Sequence, residues 1–294
     1  MNQPKRILLG HLASNGDCLY ATAVARQIKN DYPGCHLTWA VGSLYRQAID
    51  NNPYVDEIWE VPITNRNEID GVWHQFAREA KQRKRAEQFD EIFFTQINPD
   101  NYHRFDGTVR SSTFRGYPRP ITIPVTPTIR LRAEEVERVR QFAEQQKLAQ
   151  YGNVILFECA AASSQTFVSP EFAAETAKLV LEQLGDCAFI LSSTTRIAST
   201  DSRIIDGSVM PFRENAELTK YCTLLVGGSS GISWLATSDW AKPLPKIQLL
   251  SKQTGVFASM CHDAEYFGLP TDEILEMTDY SPQHVADCIV TALR

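Results

Sequence analysis

The chain of 294 residues predicts an α/β protein built from two parallel-sheet domains, and three observations predict it. Short apolar runs alternate with amphipathic segments, the pattern of strands joined by crossover helices. The alternation breaks at a loop-rich, Arg- and Pro-rich stretch from Asn98 to Pro127 and then restarts at Val154. Charge changes along the chain as well. Residues 1–148 hold 20 Lys+Arg and 18 Asp+Glu, a net +2, whereas residues 149–294 hold 9 and 17, a net −8. Two Rossmann-like domains, 1–148 and 149–294, with a cleft between them, follow from that division.

In the first half, Ile7–Leu9 reads as a buried strand, and a helical pattern begins at Asp17 and covers Cys18–Asp31. His36–Val41 reads as a strand, Leu44–Asn51 as a helix and Glu57–Val61 as a short strand. Ile69–Gln88 has the spacing of a long amphipathic helix, and Glu91–Thr95 is the next strand. Ala133–Ala149 is a highly charged helix that closes this half.

In the second half, Val154–Glu158 is strand-like, and Pro170–Leu184 is a helix with Ser169 as its cap and Pro170 at its first position. Gly185 ends it, and Ala188–Leu191 is a strand. Asn215–Cys222 reads as a short helix, Leu224–Val226 as a buried strand and Ile232–Trp240 as the helix after it. Ile247–Leu250 is a further strand and Gln283–Arg294 a terminal helix.

Hydrophobic content of 43% and charged content of 22% fit a soluble globular protein. No apolar run approaches the roughly 20 residues of a membrane span. Lys5 and Arg6 precede only a brief apolar run, so no signal peptide is expected. Seven scattered cysteines without C-x-x-C spacing read as reduced thiols of a cytoplasmic protein, and no metal site is expected. Net charge is −6 and no nucleic-acid motif occurs, so nucleic acid is not an expected partner.

Strand, glycine-containing turn and helix N-terminus follow one another from Arg6 to Ala25, which puts Asp17 at the carboxyl edge of a sheet. Open α/β sheets bind ligands at that edge. Asp17 has two readings. As a helix cap it accepts from exposed N–H groups. As a general base it takes a proton from an acceptor hydroxyl, with the helix N-terminus favouring the carboxylate. His11, at the end of the first strand, is either a structural histidine or a group that orients substrate and stabilises developing charge.

Three loops of the second half end in the same kind of place. Gly227-Gly-Ser-Ser-Gly231 joins a strand to a helix, and the N–H groups of Ser229, Ser230 and Gly231 suit a phosphate. Glu158-Cys-Ala-Ala-Ala-Ser-Ser-Gln165 offers Ser163, Ser164 and Gln165, and Ser192-Ser-Thr-Thr-Arg196 offers Ser192 and Arg196. Each also reads as an ordinary connection. The basic run Lys81, Arg83, Lys84, Arg85, followed by Arg104, Arg110, Arg115 and Arg119, is a solvated face or a surface for an anionic acceptor or membrane leaflet.

These pieces in this order resemble glycosyltransferase family 9, the ADP-heptose–lipopolysaccharide heptosyltransferases and their relatives. The resemblance rests on Ser14-Asn-Gly-Asp17 and its helix, Tyr32-Pro33 before His36–Val41, Asn52-Pro-Tyr-Val-Asp56 and Phe89-Asp-Glu-Ile92. It continues through Ser169-Pro-Glu-Phe172 and Leu218–Leu235 and so spans most of the chain.

The resemblance implies a GT-B fold and an inverting, metal-independent transfer of a sugar from a nucleotide sugar to a lipopolysaccharide-type acceptor, with no cofactor. It places the catalytic base on Asp17, beside Gly16, with His11 in support. It puts the donor against Gly16, Ser163, Ser164, Gln165, Ser192, Arg196, Ser229, Ser230 and Gly231. An anionic glycan or glycolipid would meet Lys81, Arg83, Lys84, Arg85 and Arg110, in peripheral contact with the inner membrane. The chain departs from the family at four places. A basic residue is replaced by Gln165, leaving Arg196 or Arg213 to face the diphosphate. An aspartate falls on Ser229, a histidine on Trp234 and a lysine on His11. The alternatives are a GT-B protein that binds a sugar nucleotide or partner without transfer, and an epimerase of that fold.

Overall fold

The computed structural model describes residues 3–160, 166–253, 258–266 and 268–294, and the chain divides into two compact units, Met1–Arg130 and Leu131–Arg294. The division falls earlier than the boundary expected near 148. Its cause is the helix Ala133–Gln145, whose Val139, Phe142 and Ala143 pack with Leu156, Ile190 and Leu225 of the second unit.

The first unit is a four-stranded parallel sheet of β1 (Arg6–Gly10), β2 (His36–Gly42), β3 (Glu57–Val61) and β4 (Glu91–Phe94), in the order β3-β2-β1-β4. Ile7, Leu8 and Leu9 are fully buried because β1 is covered on both faces, which explains a continuous apolar run in place of an alternating one. Helix α1 (Asn15–Asp31) follows β1 and α2 (Ile69–Arg85) follows β3. Trp73, Phe76 and Ala80 of α2 form a core with Leu8, Leu12, Ala40, Val61 and Ile63. The expected helix at Leu44–Asn51 is a tighter 3₁₀ turn, Ser43–Ala48. A short helix α3 (Ser111–Arg115) lies in the stretch read as loop, with the Phe114 ring tilted against Tyr20 of α1 at 4.8 Å between centroids.

The second unit is a six-stranded parallel sheet. Its strands are β5 (Asn153–Glu158), β6 (Cys187–Ser192), β7 (Ile204–Asp206), β8 (Leu224–Gly227), β9 (Lys246–Leu249) and β10 (Ile274–Met277), ordered β10-β9-β8-β5-β6-β7. Side chains along a strand alternate between faces. Val154 and Leu156 accordingly enter one core with α4 (Ala133–Gln145) and α6 (Asn215–Leu218). Ile155 and Phe157 enter the other with α5 (Pro170–Leu181) and the terminal helix α9 (Pro282–Ala292). Helix α7 (Gly231–Leu235) follows β8 and is shorter than the run expected to Trp240, and α8 (Met260–Tyr266) precedes β10. Ser169 caps α5 as expected, accepting from the Phe172 N–H at 3.2 Å.

Among the described residues the ten strands all run parallel to their sheet neighbours, so within each unit their end loops leave from one edge. Among the described residues no helix is long and apolar enough to cross a membrane.

Candidate active site

The carboxyl edge of the first sheet is built around the loop after β1. Helix α1 starts at Asn15, two residues earlier than expected, so Ser14 is its cap and Asp17 its third residue. One carboxylate oxygen, Oδ2, accepts from Ser14 Oγ at 2.9 Å and from the Ser14 N–H at 3.3 Å. The contact with the cap residue engages only half of the carboxylate. One oxygen reaches back to the cap residue. The other, Oδ1, makes no hydrogen bond among the described residues, and the side chain is half-buried. Gly16 is buried in the same first turn.

Gln96, one residue beyond Thr95, fixes this loop. Its Oε1 accepts from the N–H groups of Leu12 (2.7 Å) and Ala13 (3.1 Å), and its Nε2 donates to the carbonyls of Ala13 and Asn98, each at 3.0 Å. His11 lies behind the loop, not on its surface. It is fully buried, with Nδ1 3.0 Å from Thr95 Oγ1. Burial pushes the imidazole down to about 4, against the raising influence of the Asp17 carboxylate, so at neutral pH the ring is uncharged.

The neighbouring strand ends join this edge. The Gly42 N–H donates to Leu12 O at 3.0 Å, and Ser43 Oγ bridges to both the N–H and the carbonyl of Ile63. The Tyr45 ring lies against Gly42, where an added Cβ would stand 3.3 Å from Tyr45 Cδ2. Burial raises the Tyr45 hydroxyl, and it also feels Arg66, Cys18 and Asp17. Arg66 is exposed at the loop after β3. Tyr45 and Arg66 were not singled out from the sequence, because neither sits in a motif and only the sheet order brings them beside Asp17.

The basic run is placed elsewhere. Lys84 pairs with Glu91, the first residue of β4, at 3.3 Å, so the end of α2 lies at the amino edge of the sheet, opposite Asp17. Arg83 is held by Glu79 at 2.6 Å and stacks on Trp59 at 3.9 Å. Lys81 lies over Phe94 at 5.9 Å, and Arg85 is exposed at the helix end. Arg110 is buried, immediately before α3. Lys81 thus lies over the last residue of β4, while Arg83 is engaged on the helix face and Lys84 at the amino edge.

In the second unit, Ser192 is buried at the end of β6, and its carbonyl accepts the Cys159 N–H at 3.0 Å. Arg196 is exposed in the following loop, with no ion pair among the described residues. Ser229 is buried, and Ser230 caps α7 by accepting from the N–H groups of Ile232 and Ser233 at 3.2 and 3.4 Å. Gly231 opens the helix. Ser163, Ser164 and Gln165 lie outside the described residues. Arg213, the other cation expected to face a diphosphate, is buried and donates to Glu135 Oε1 at 2.6 Å, so its charge is already compensated.

Glu158 is the residue the sequence reading passed over. It ends β5, between Ser192 of β6 and the end of β8, and is 3% exposed. Its Oε2 accepts the Gly228 N–H at 3.3 Å. Burial pushes the carboxyl up to about 7, while hydrogen bonds with Gly228, Ser230 and Ala160 act the other way. A glutamate directly after the apolar run Val154 to Phe157 of a central strand was the available signal.

No protein-family model and no curated protein matches the sequence. Solved structures do match the fold. A family 9 glycosyl transferase from Veillonella parvula DSM 2008 aligns over 100% of this chain and 98% of its own, with a TM-score of 0.69 at 16% identity. The fold is GT-B. E. coli ADP-heptose lps heptosyltransferase II aligns over 98% of each chain, with a TM-score of 0.64 at 14% identity. A Listeria monocytogenes protein described as a UDP-N-acetylglucosamine 2-epimerase aligns over 99% of this chain and 88% of its own, at 0.55 and 11%. The GT-B fold thus hosts more than one chemistry, and the activity must be argued from the residues. Among the described residues no cluster of three or more His, Cys, Asp or Glu side chains could hold a metal ion.

Proposed function

We propose that the chain is an inverting, metal-independent glycosyltransferase that moves a sugar from a nucleotide-sugar donor to a lipopolysaccharide or other surface-glycan acceptor. The observation that carries this reading is Asp17, half-buried at a strand-end edge with Oδ2 engaged by Ser14 and Oδ1 free of any hydrogen bond among the described residues. In the reaction, Asp17 takes the proton of the acceptor hydroxyl. The acceptor oxygen forms a bond to the anomeric carbon as the bond from that carbon to the diphosphate breaks. The nucleoside diphosphate leaves with the bonding electron pair. Arg196 and the N–H groups of Ser229, Ser230 and Gly231 stabilise the leaving charge.

His11 acts through position. Its neutral ring, held on Thr95, backs the loop that carries Asp17. Tyr45 and Arg66 meet the acceptor on the same edge, with Arg66 suited to an anionic glycan or glycolipid. The E. coli relative's donor and acceptor class, ADP-heptose and lps, makes that pair the first to assay. Arg213, committed to Glu135, favours a second reading in which the chain binds a sugar nucleotide or partner without transfer.

A thermal-shift screen against nucleoside diphosphates and nucleotide sugars tests the donor. Binding to the native state raises stability by about 2.7 kcal/mol at a hundredfold excess over Kd. A selective shift with one nucleotide supports a donor site. A shift without turnover on any glycan acceptor selects the second reading, and no shift at all rejects both.

A further inference from the structure

The outer face of α2 and the loop after β4 form one surface that the proposed reaction leaves unused. From His74 to Arg85 the helix carries five Lys+Arg and one carboxylate, Glu79, which Arg83 holds. Arg78, Lys81 and Arg85 follow His74 at spacings of four, three and four, so the four side chains share one face. All four are exposed, and none of the three cations makes an ion pair among the described residues. The stripe is about 16 Å long. Because α2 follows β3, its His74 end lies towards the carboxyl edge of the sheet.

Among the described residues of the first unit, three large apolar side chains are exposed: Leu44, Tyr102 and Phe105. All three are on loops that leave the carboxyl edge, Leu44 after β2 and the others after β4. A single exposed apolar residue needs no explanation. Here Tyr102, His103, Arg104 and Phe105 are exposed in succession, with Tyr102 53% and Phe105 40% accessible. The loop that holds them out is braced. Arg104 donates to the Arg115 carbonyl at 2.9 Å, and Arg115 Nε donates to Asp106 at 2.8 Å. The stripe and the loop meet at Phe94. Its ring packs on Trp73 and Phe76 of α2 and lies under the Lys81 ammonium at 5.9 Å. Its carbonyl accepts from Asn101, the neighbour of Tyr102, at 3.0 Å.

Aromatic rings beside unpaired cations suit the headgroup layer of a bilayer, where rings sit at the polar boundary and Lys and Arg meet anionic lipid. An acidic protein would need carboxylates matched to this spacing, whereas a lipid surface presents anions that move laterally. We propose that this corner of the first unit docks on an anionic bilayer surface, with Tyr102 and Phe105 seated among the headgroups and Arg78, Lys81 and Arg104 against lipid phosphates. Docking holds the edge that carries Asp17 at the surface that would present a glycolipid acceptor. That consequence rests on the glycosyltransferase reading given above, while the docking does not.

The test is co-sedimentation of the full chain with vesicles of phosphatidylcholine alone or with 30 mol% phosphatidylglycerol, at 0.1 M and 0.5 M NaCl. Wild type is compared with Arg78→Gln/Lys81→Gln and Tyr102→Ser/Phe105→Ser. Wild type is expected to bind the anionic vesicles at least tenfold tighter than the neutral ones and to lose that preference at high salt. At about fivefold per cation, the first variant should lose at least tenfold on anionic vesicles. The second should lose at least fivefold on them. Amides 102–106 of wild type should exchange more slowly when anionic vesicles are added. No preference of wild type for anionic vesicles, or binding of either folded variant within twofold of wild type, overturns the proposal. If wild type instead self-associates without vesicles and Arg78→Gln/Lys81→Gln does not, the stripe meets the acidic second half of another copy, and the bilayer is rejected. Should Tyr102→Ser/Phe105→Ser not fold, exchange at 102–106 decides in its place, with no slowing on anionic vesicles rejecting the docking. Vesicle binding by a protein that transfers sugar from no donor supports the docking and rejects the transferase reading.

Discussion

The ends of β1 and β5 occupy equivalent places, each an interior strand of a parallel sheet with a buried titratable residue where it meets the edge. They behave in opposite ways. At β1, His11 is held neutral because burial pushes it down to about 4, and the loop beyond it is fastened by the uncharged amide of Gln96. At β5, Glu158 is pushed up to about 7, and it is the fastening itself. Both environments reject charge. At neutral pH His11 is therefore uncharged, whereas Glu158 lies near its midpoint.

The largest way to break the contrast is Gln96→Leu. It leaves the N–H groups of Leu12 and Ala13 and the carbonyls of Ala13 and Asn98 without their partner. At about 1–3 kcal/mol per unsatisfied buried group, the first unit should lose several kcal/mol, read as a lower midpoint in denaturant.

Next comes the pH dependence of stability. Glu158 has its folded value raised from 4.5 to about 7, so the native state binds the extra proton. Its contribution is fully present below 4.5 and is lost as pH rises to about 7. His11 has its folded value lowered from 6.5 to about 4. Its contribution is present above 6.5 and is lost as pH falls to about 4. Each amounts to about 3 kcal/mol, and between pH 4.5 and 6.5 the two slopes oppose and largely cancel. Glu158→Gln should therefore unmask stability that rises with pH in this window, and His11→Phe stability that falls. Parallel profiles for the two variants would show that the two strand ends are not opposed.

Gly228→Ala should act on the second edge alone. The added methyl meets Thr166 at 2.7 Å, and relief by backbone movement costs about 1–3 kcal/mol. Nucleotide affinity should fall with it, while the first unit's melting is unchanged. Smallest is Lys84→Gln, which removes an exposed pair with Glu91 worth less than about 1 kcal/mol. Because that pair sits at the amino edge of the first sheet, the KM for acceptor should not move.

The alternation of apolar runs with amphipathic segments carried the two sheets and most of their helices, because burial on both faces leaves a plain signature in β1, β5, β6 and β8. The edge strands β7 and β10 left none, β7 because it has three residues and β10 because it is half-exposed. The helix Ala133–Gln145 carries no sign of its unit in its sequence, because a charged helix reads alike on either side of a boundary, and only the packing of Phe142 and Val139 assigns it. Asp17 was legible as a strand-end carboxylate at a helix start, but that its cap contact would engage only one of its oxygens was not. Lys81 to Arg85 show the converse. Charge density was plain in the sequence, while the edge it belongs to depends on the antiparallel course of α2. Tyr45 and Arg66 become visible only when strand order sets the loops after β2 and β3 at the edge where β1 ends.

The most direct test of the central claim is nucleoside diphosphate release from nucleotide sugars, ADP-heptose first, in the presence of lipopolysaccharide core acceptors, for wild type and Asp17→Asn. The account predicts acceptor-dependent release by wild type. Asp17→Asn should bind the donor with unchanged affinity while its turnover falls by about 10²–10⁴-fold. Turnover of Asp17→Asn within a few fold of wild type would contradict the account and leave Asp17 as a helix cap.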